Sequence, residues 1–298
     1  METILITGVS GFLGWNLARR LQANYRVYGT YLDHQISIPG VETLAFDLAE
    51  LAKIPRLCEA IRPRLIVHAA AYANPDYCEL HHKEALTLNT FATRELAKAA
   101  SRLGCRLIYI STDFVFDGKK GNYSEADDPA PINYYGKTKF LGELEISNNC
   151  SNYVTLRIAT LYGRGNGTQL NFFEKLEQEA LLKKRLPCIA DQYRTFLFVE
   201  DAVQSIVQLV EKGLKGLFHL GGPERASRCE FAEKLCAVAG LPASLLQKVL
   251  LSEAGLAAAA RPKDCSLNSN KIKTSLGLQL TPLDAALEKL CRQQSHKG

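Results

Sequence analysis

Nothing in the spacing of the nine cysteines points to a metal module or a dithiol centre: there is no C-x-x-C pair and no Cys–His grouping at ligand intervals. The count is odd, and Cys58, Cys105, Cys236 and Cys291 fall among apolar residues. Free, mostly buried thiols in a reducing compartment are expected. Charge of one sign is also missing. The formal charge is +5, and the longest basic run, Lys183-Lys184-Arg185, closes a predicted helix, where a solvated cap accounts for it. This argues against a nucleic-acid partner and favours a mildly positive cleft for an anionic small molecule. No apolar run approaches a membrane span, and no leader is expected, since Met1-Glu2 runs straight into Thr3-Ile4-Leu5-Ile6. No membrane partner and a cytoplasmic location are expected.

With 47% hydrophobic and 22% charged residues, the chain has the balance of a folded enzyme. Its first half alternates short strands with helices. Ile4–Ile6, Tyr25–Tyr31, Thr43–Phe46, Leu65–His68 and Leu107–Ser111 read as strands. Helices are predicted over Phe12–Gln22, Leu51–Ile61 and, as one long element, Lys83–Arg102. That order calls for a doubly wound parallel sheet of Rossmann type, covered on both faces. After about residue 158 the pattern loosens. Gly163-Arg164-Gly165-Asn166-Gly167 reads as a mobile loop, and Ala257–Ala260 as a helix end or packed connection. Two lobes are expected: a nucleotide-binding lobe over 1–158 and a smaller α/β substrate lobe over 159–298. The segment around 198–220, with a helix start at Phe198–Ala202 and a strand at Gly216–Leu220, should return to the Rossmann sheet.

Between the first strand and first helix stands Gly8-Val9-Ser10-Gly11-Phe12-Leu13-Gly14, a G-x-x-G-x-x-G turn. Its glycines permit a tight bend and close approach of backbone to a pyrophosphate, and the helix N-terminus supplies free N–H groups. A plain structural turn is the alternative; the strand before it and the helix after it favour dinucleotide binding. Asp47-Leu48 follows the third strand, where Asp47 can cap the next helix. The second strand ends Thr30-Tyr31-Leu32-Asp33-His34, with Tyr31 where an acid for the ribose 2′-OH would stand and Asp33 two residues beyond. NAD and NADP are both open on this evidence.

Tyr135-Gly136-Lys137-Thr138-Lys139 is Y-x-x-x-K, which puts Tyr135 and Lys139 on one helix face. Carbonyl reduction needs a proton for the developing alkoxide, and an ammonium beside a phenol favours the phenolate. Tyr134 is a poor substitute, because four residues on lies the uncharged Thr138. Thr112, closing the fifth strand at Ser111-Thr112-Asp113, is placed to polarise a substrate carbonyl. Asn89 has poor propensity for the helix interior where it falls.

Glycine turn and Y-x-x-x-K together resemble the short-chain dehydrogenases of extended type. The segments His68–Asp76, Ser111-Thr112-Asp113-Phe114-Val115-Phe116-Asp117-Gly118 and Arg261-Pro262 followed by Leu267–Lys271 are similar to those of the dTDP-4-dehydrorhamnose reductase family, nearly end to end. That resemblance implies NADPH- or NADH-dependent reduction of the 4-keto group of a nucleotide-linked deoxysugar. It implies cofactor contacts from Gly8, Ser10, Gly11, Phe12, Leu13 and Gly14, from Tyr31, Asp33, Asp47 and Leu48, and from Ala71, Tyr72, Ala73, Asn89 and Ile110. Thr112, Tyr135 and Lys139 would be catalytic, with Lys139 and Tyr135 also touching the cofactor. Thr112, Asp113, Thr160 and Arg194 would face the sugar nucleotide, and a homodimer would be typical of the relatives. No metal is implied.

Two departures stand out. Thr160 occupies the place of a family tryptophan, and Arg194-x-Phe196-x-x-Val199-x-Asp201 resembles nucleotide-sugar epimerases. There the arginine contacts substrate phosphates; here it does so or pairs with Asp191. The chain is also similar to the regulatory β subunit of methionine adenosyltransferase, in which the same fold serves as a binding partner. Other epimerases or reductases of the extended type, and a catalytically silent cofactor-binding subunit, are the alternatives.

Overall fold

Alternation along the first strand decides which side each residue faces. In the computed structural model, which describes residues 1–168, 170–182, 184–255 and 258–295, β1 (Thr3–Thr7) sends Ile4 and Ile6 into one core and Leu5 into another. Helices therefore have to cover both faces. The chain continues through α1 (Phe12–Leu21), β2 (Arg26–Tyr31), β3 (Val41–Ala45), α2 (Ile54–Ile61) and β4 (Leu65–His68). Next come α3 (Pro75–Leu80), α4 (His82–Leu86), α5 (Thr93–Leu103), β5 (Arg106–Thr112), α6 (Tyr134–Asn149) and β6 (Tyr153–Ile158).

The second half adds β7 (Leu161–Tyr162), α7 (Phe172–Leu181), β8 (Leu186–Ile189), β9 (Tyr193–Arg194), β10 (Leu197–Phe198) and α8 (Val199–Lys212). It finishes with β11 (Gly216–Leu220), β12 (Ala226–Ser227), α9 (Arg228–Val238), β13 (Leu246–Val249), α10 (Asn270–Leu276) and α11 (Leu283–Ser295).

Seven parallel strands form the main sheet in the order β11-β6-β5-β4-β1-β2-β3. Growth of the sheet reverses between β1 and β4, which opens a crevice at their carboxyl ends. α8 and β11 join this sheet from the second half of the chain, β11 pairing with β6. One core cluster carries Ile4, Ile108 and Val154 together with Ile206, Phe231 and Leu287, so both halves share buried surface.

Three expectations need correction. The long helix of residues 83–102 is continuous but not regular α-helix throughout: α4 and α5 are joined by a π-helical turn at Thr87–Ala92 that contains Asn89. Such single π turns displace one residue outward and recur at functional positions. Cys188 of β8 and Cys229 of α9 form a disulfide, with Cα atoms 4.7 Å apart. Their separation of 41 residues in sequence hid that pairing, while Cys58, Cys105 and Cys236 are buried free thiols as expected and Cys291 is half-buried. The Gly163–Gly167 segment is tied to the first glycine turn: Asn166 Nδ2 donates to the Ser10 carbonyl at 2.8 Å and Asn16 Nδ2 to that of Arg164 at 3.1 Å. Lys184 and Arg185 follow α7 as exposed residues; Lys183 of that basic run, and Ala257 of the Ala257–Ala260 stretch, lie outside the described residues.

Candidate active site

Gly8 has φ +73°, and a Cβ on it would meet the Cα of Ala70 at 2.8 Å, so the turn nests against the chain leaving β4 only because this residue is glycine. Gly11 is the extended residue before α1, and no side chain caps that helix. Its first N–H groups are thus free to receive an anion. In front of the turn lies a cavity of about 210 Å³. Gly8, Ser10 and Gly11 form one wall; Tyr31 and Leu32 come from the end of β2, Asp47 and Leu48 from beyond β3, and Ala71 and Tyr72 from beyond β4. A glycine cradle, an uncapped helix start and a flat-walled cleft beyond it fit a nicotinamide dinucleotide.

Other predicted cofactor residues stand apart from this cavity. Leu13 and Ile110 are buried in the core, Phe12 packs against it, and Gly14 is pressed against the Gly8 carbonyl. Asp33 and Ala73 are exposed. The cavity edge at β2 is built by Thr30, Tyr31 and Leu32, which carry neither an acid nor a base. Asp47 does not cap α2, whose N-cap is Lys53; its Oδ1 accepts from the Ala49 N–H at 2.8 Å, closing a local turn.

Asn89 is fully buried, and its amide is spent on protein groups. Its Oδ1 accepts from the Tyr72 N–H at 2.9 Å, while Nδ2 donates to the Tyr72 carbonyl at 3.1 Å and to Thr138 Oγ1 at 3.0 Å. It holds the β4 loop to α6 directly. The π turn brings it there.

Thr112, Tyr135 and Lys139 meet at the carboxyl edge of the sheet. Thr112 Oγ1 accepts from the Phe114 N–H and donates to Asp113 Oδ1, both at 3.2 Å, and it lies close enough to the Tyr135 phenol to favour its ionised form. Asn133 caps α6, accepting from the Gly136 N–H at 2.9 Å, so Tyr135 enters the helix in its first turn. Burial pushes the Tyr135 phenol well above its ordinary value, with the neighbouring Thr112 hydroxyl opposing. Burial also draws the Lys139 ammonium down to about 7, against the pull of Glu143 and Cys78. The sequence-based expectation gave the ammonium the leading influence on the phenol; burial leads for both groups instead. Tyr134 lies outside the constellation, stacked on His82 with ring centroids 3.8 Å apart, and Lys137 is exposed beside it.

Several residues here escaped the sequence reading. Cys78 of α3 is buried beside both Tyr135 and Lys139, its thiol donating to the Tyr72 carbonyl at 3.2 Å. Burial pushes that thiol up to about 11, so it stays protonated and unreactive at neutral pH. Tyr109 presents its ring face to Lys139 Nζ, 4.1 Å from the centroid. Its place on a strand two residues before Ser111 was the one available signal. Glu143, one turn beyond Lys139 on α6, accepts two charge-assisted hydrogen bonds from Arg157 and one from Ser111.

Arg194 pairs with Asp113, Nε to Oδ2 at 3.2 Å, and not with Asp191, which sits against Lys263. The guanidinium is fully buried and donates to the carbonyls of Tyr193 at 2.6 Å and Pro262 at 3.2 Å. Two predicted substrate residues are therefore joined to each other. Thr160 is half-buried, and its carbonyl accepts from the Leu197 N–H at 2.9 Å. Nearby, a second cavity of about 270 Å³ is lined by Arg228, Arg261 and Gln192 with apolar walls from Phe172, Leu176 and Ile189. The Arg228 guanidinium lies 4.6 Å from the Phe172 ring centroid, and Arg261 is fixed by Asp76 at 2.7 Å. Arg228 sits in no recognisable motif, so sequence gave no handle on it.

A dinucleotide cradle on a seven-stranded parallel sheet, with Thr, Tyr and Lys gathered at its carboxyl edge, defines the class: an extended short-chain dehydrogenase fold. The family described as "RmlD substrate binding domain" matches residues 1–295, and the chain belongs to it. Among solved structures, dTDP-4-dehydrorhamnose reductase from Bacillus anthracis in complex with NADP is similar at a TM-score of 0.87 and 29% identity, over 98% of this chain and 99% of that one. Among curated relatives, methionine adenosyltransferase 2 subunit beta of Mus musculus is 33% identical over 96% of this chain and 86% of its own. The probable low-salt glycan biosynthesis reductase Agl14 of Haloferax volcanii is 29% identical over 95% and 96%. No described helix is long and apolar enough to cross a membrane.

Proposed function

We propose that this chain is a reductase of the 4-keto group of a nucleotide-linked deoxysugar, using NADPH or NADH. One observation carries the reading: Thr112, Tyr135 and Lys139 are gathered at the end of the sheet that holds the glycine cradle, with Tyr135 and Lys139 one helical turn apart on α6. When bound, the nicotinamide would supply the hydride. The start of α1, with Gly8 and Gly11, would hold its pyrophosphate, and Asp47 and Leu48 would flank the adenine. Thr112 would donate to the keto oxygen as charge develops there, and the Tyr135 phenol would deliver the proton. Lys139, charged, would lower the cost of phenolate left behind. In the second cavity, Arg228 and Arg261 would take the phosphates of the sugar nucleotide and Phe172 its apolar base.

Purified protein with NADPH or NADH and dTDP-4-keto-6-deoxyglucose tests this by loss of reduced-cofactor absorbance. Turnover that drops at least about a hundredfold in Tyr135→Phe, with cofactor affinity kept, supports it. The 33% identity to an adenosyltransferase subunit favours a second reading, in which the fold binds cofactor as part of a larger assembly. Tight cofactor binding without turnover of any keto-sugar nucleotide would select that reading and reject the first.

A further inference from the structure

We propose that Glu143 is a positioning residue for Lys139, a buried counter-charge set one helical turn behind it and clamped in place by Ser111 and Arg157. The inference rests on the reductase reading for its meaning, and on this chain's own residues for its geometry. Lys139 and Glu143 are four residues apart on α6, hence on one face, and both are buried. Glu143 does not float there. Ser111 Oγ donates to its Oε1 at 2.5 Å, Arg157 Nε to the same oxygen at 2.9 Å, and Arg157 Nη2 to Oε2 at 2.7 Å.

Each partner comes from a different strand. Ser111 precedes Thr112 on β5, and Arg157 lies on β6 with its Nη1 3.3 Å from His219 Nε2 on β11. His219 Nδ1 is 2.9 Å from the Tyr123 carbonyl, which can only accept; Nδ1 therefore carries the proton and Nε2 accepts from Arg157. The imidazole is neutral, so it does not compete for the carboxylate. One clamp thus joins the strand end bearing Thr112 to the helix bearing Tyr135 and Lys139.

A buried ammonium needs such a charge. The groups facing Lys139 are Cys78 from α3, His68 from β4, Tyr109 from β5, and Tyr135 and Glu143 from α6. Cys78 and Tyr135 are held protonated by burial, and His68 is neutral, with its two ring nitrogens 2.7 Å from Thr7 Oγ1 and 2.9 Å from Thr93 Oγ1. Tyr109 offers only its ring face. Glu143 is the fixed negative charge in that set. A brace with no electrostatic duty would serve equally well as an uncharged amide, and that difference can be measured.

The test is the titration of Lys139 itself in the full-length protein without substrate, read from the ε-carbon chemical shift after ¹³C-lysine labelling and assigned with Lys139→Arg. In Glu143→Gln the midpoint should fall by about one pH unit, and in Glu143→Asp it should stay near the parent value. Should Glu143→Gln fail to fold, Glu143→Gln/Arg157→Met removes both buried charges together, and a smaller fall in the same direction is expected, because loss of the more distant Arg157 cation offsets only part of the loss of Glu143. An unmoved midpoint in the folded amide variant, whatever its melting temperature, overturns the proposal. Because no substrate is present, a chain inactive on keto-sugar nucleotides leaves this readout intact, and an unmoved midpoint leaves the reductase reading standing.

Discussion

Asn89 closes a two-way clasp on the backbone of Tyr72, accepting from its N–H at 2.9 Å and donating to its carbonyl at 3.1 Å. The clasp fixes the loop that walls the cofactor cavity against α6, through a third bond to Thr138. Asn89→Ala leaves the Tyr72 N–H without a partner, the Tyr72 carbonyl with only the weak Cys78 thiol, and the Thr138 hydroxyl short of a donor, an unpaired group of this kind costing about 1–3 kcal/mol. Chemical denaturation should report a loss of about 2–4 kcal/mol. Fluorescence titration with NADPH should show affinity weakened about tenfold, a fall of roughly 1.4 kcal/mol. Unchanged affinity in a folded variant would show that the loop keeps its shape without the clasp.

Thr112 offers a hydroxyl where the substrate oxygen is proposed to sit. Thr112→Val keeps the β-branched shape at the strand end and removes the hydroxyl, with its bonds to Asp113 and the Phe114 N–H. The expected result is a kcat loss of about 10²–10³, with KM for the cofactor within about threefold of the parent. Thr112→Ser retains the hydroxyl and should retain most of the rate. Steady-state kinetics on all three proteins decides it; equal losses in Val and Ser variants would assign Thr112 a packing role.

The sheet and the Thr112–Tyr135–Lys139 constellation were legible because both are local patterns. Leu65–His68 is four apolar-leaning residues between helices, and Y-x-x-x-K fixes its own geometry once it lies on a helix. The π turn was not legible: Thr87–Ala92 carries helix-compatible residues, and only the packing of Asn89 against Tyr72 selects the extra residue per turn. Arg194 was visible as a motif but its partner was not, since Asp113 is distant in sequence and Asp191 is close. Arg228, Glu143 and the Cys188–Cys229 pair depend on tertiary placement alone.

The Arg194–Asp113 pair is buried on both sides, and burial raises the Asp113 carboxyl while Arg194 opposes that rise. Removing one partner strands the other. Arg194→Met should therefore destabilise the chain by about 3–5 kcal/mol, and Arg194→Met/Asp113→Asn should recover much of the loss. Urea unfolding of the single and double variants measures the coupling. If Arg194→Met instead folds with parental stability and loses only sugar-nucleotide affinity, the guanidinium serves the ligand and not the fold.

Two histidines make stability fall on acidification. Burial draws His68 down to about 3 and His219 down to about 4. An unfolded chain takes up protons on both near pH 6.5, while the native chain resists until well below that value. Between those limits the unfolded state binds more protons, so stability rises with pH and is lost as pH drops from about 6.5 toward 4. Asp113, with its carboxyl raised, works in the opposite sense and blunts the slope. His219→Gln isolates one contribution, because the amide nitrogen can still donate to the Tyr123 carbonyl and its oxygen accept from Arg157, yet nothing titrates. Urea unfolding at pH 6 and pH 5 should show a slope shallower than the parent's by about 1 kcal/mol per pH unit. An identical slope would mean that His219 is charged in the native state, and its neutral bond to Arg157 would have to be abandoned.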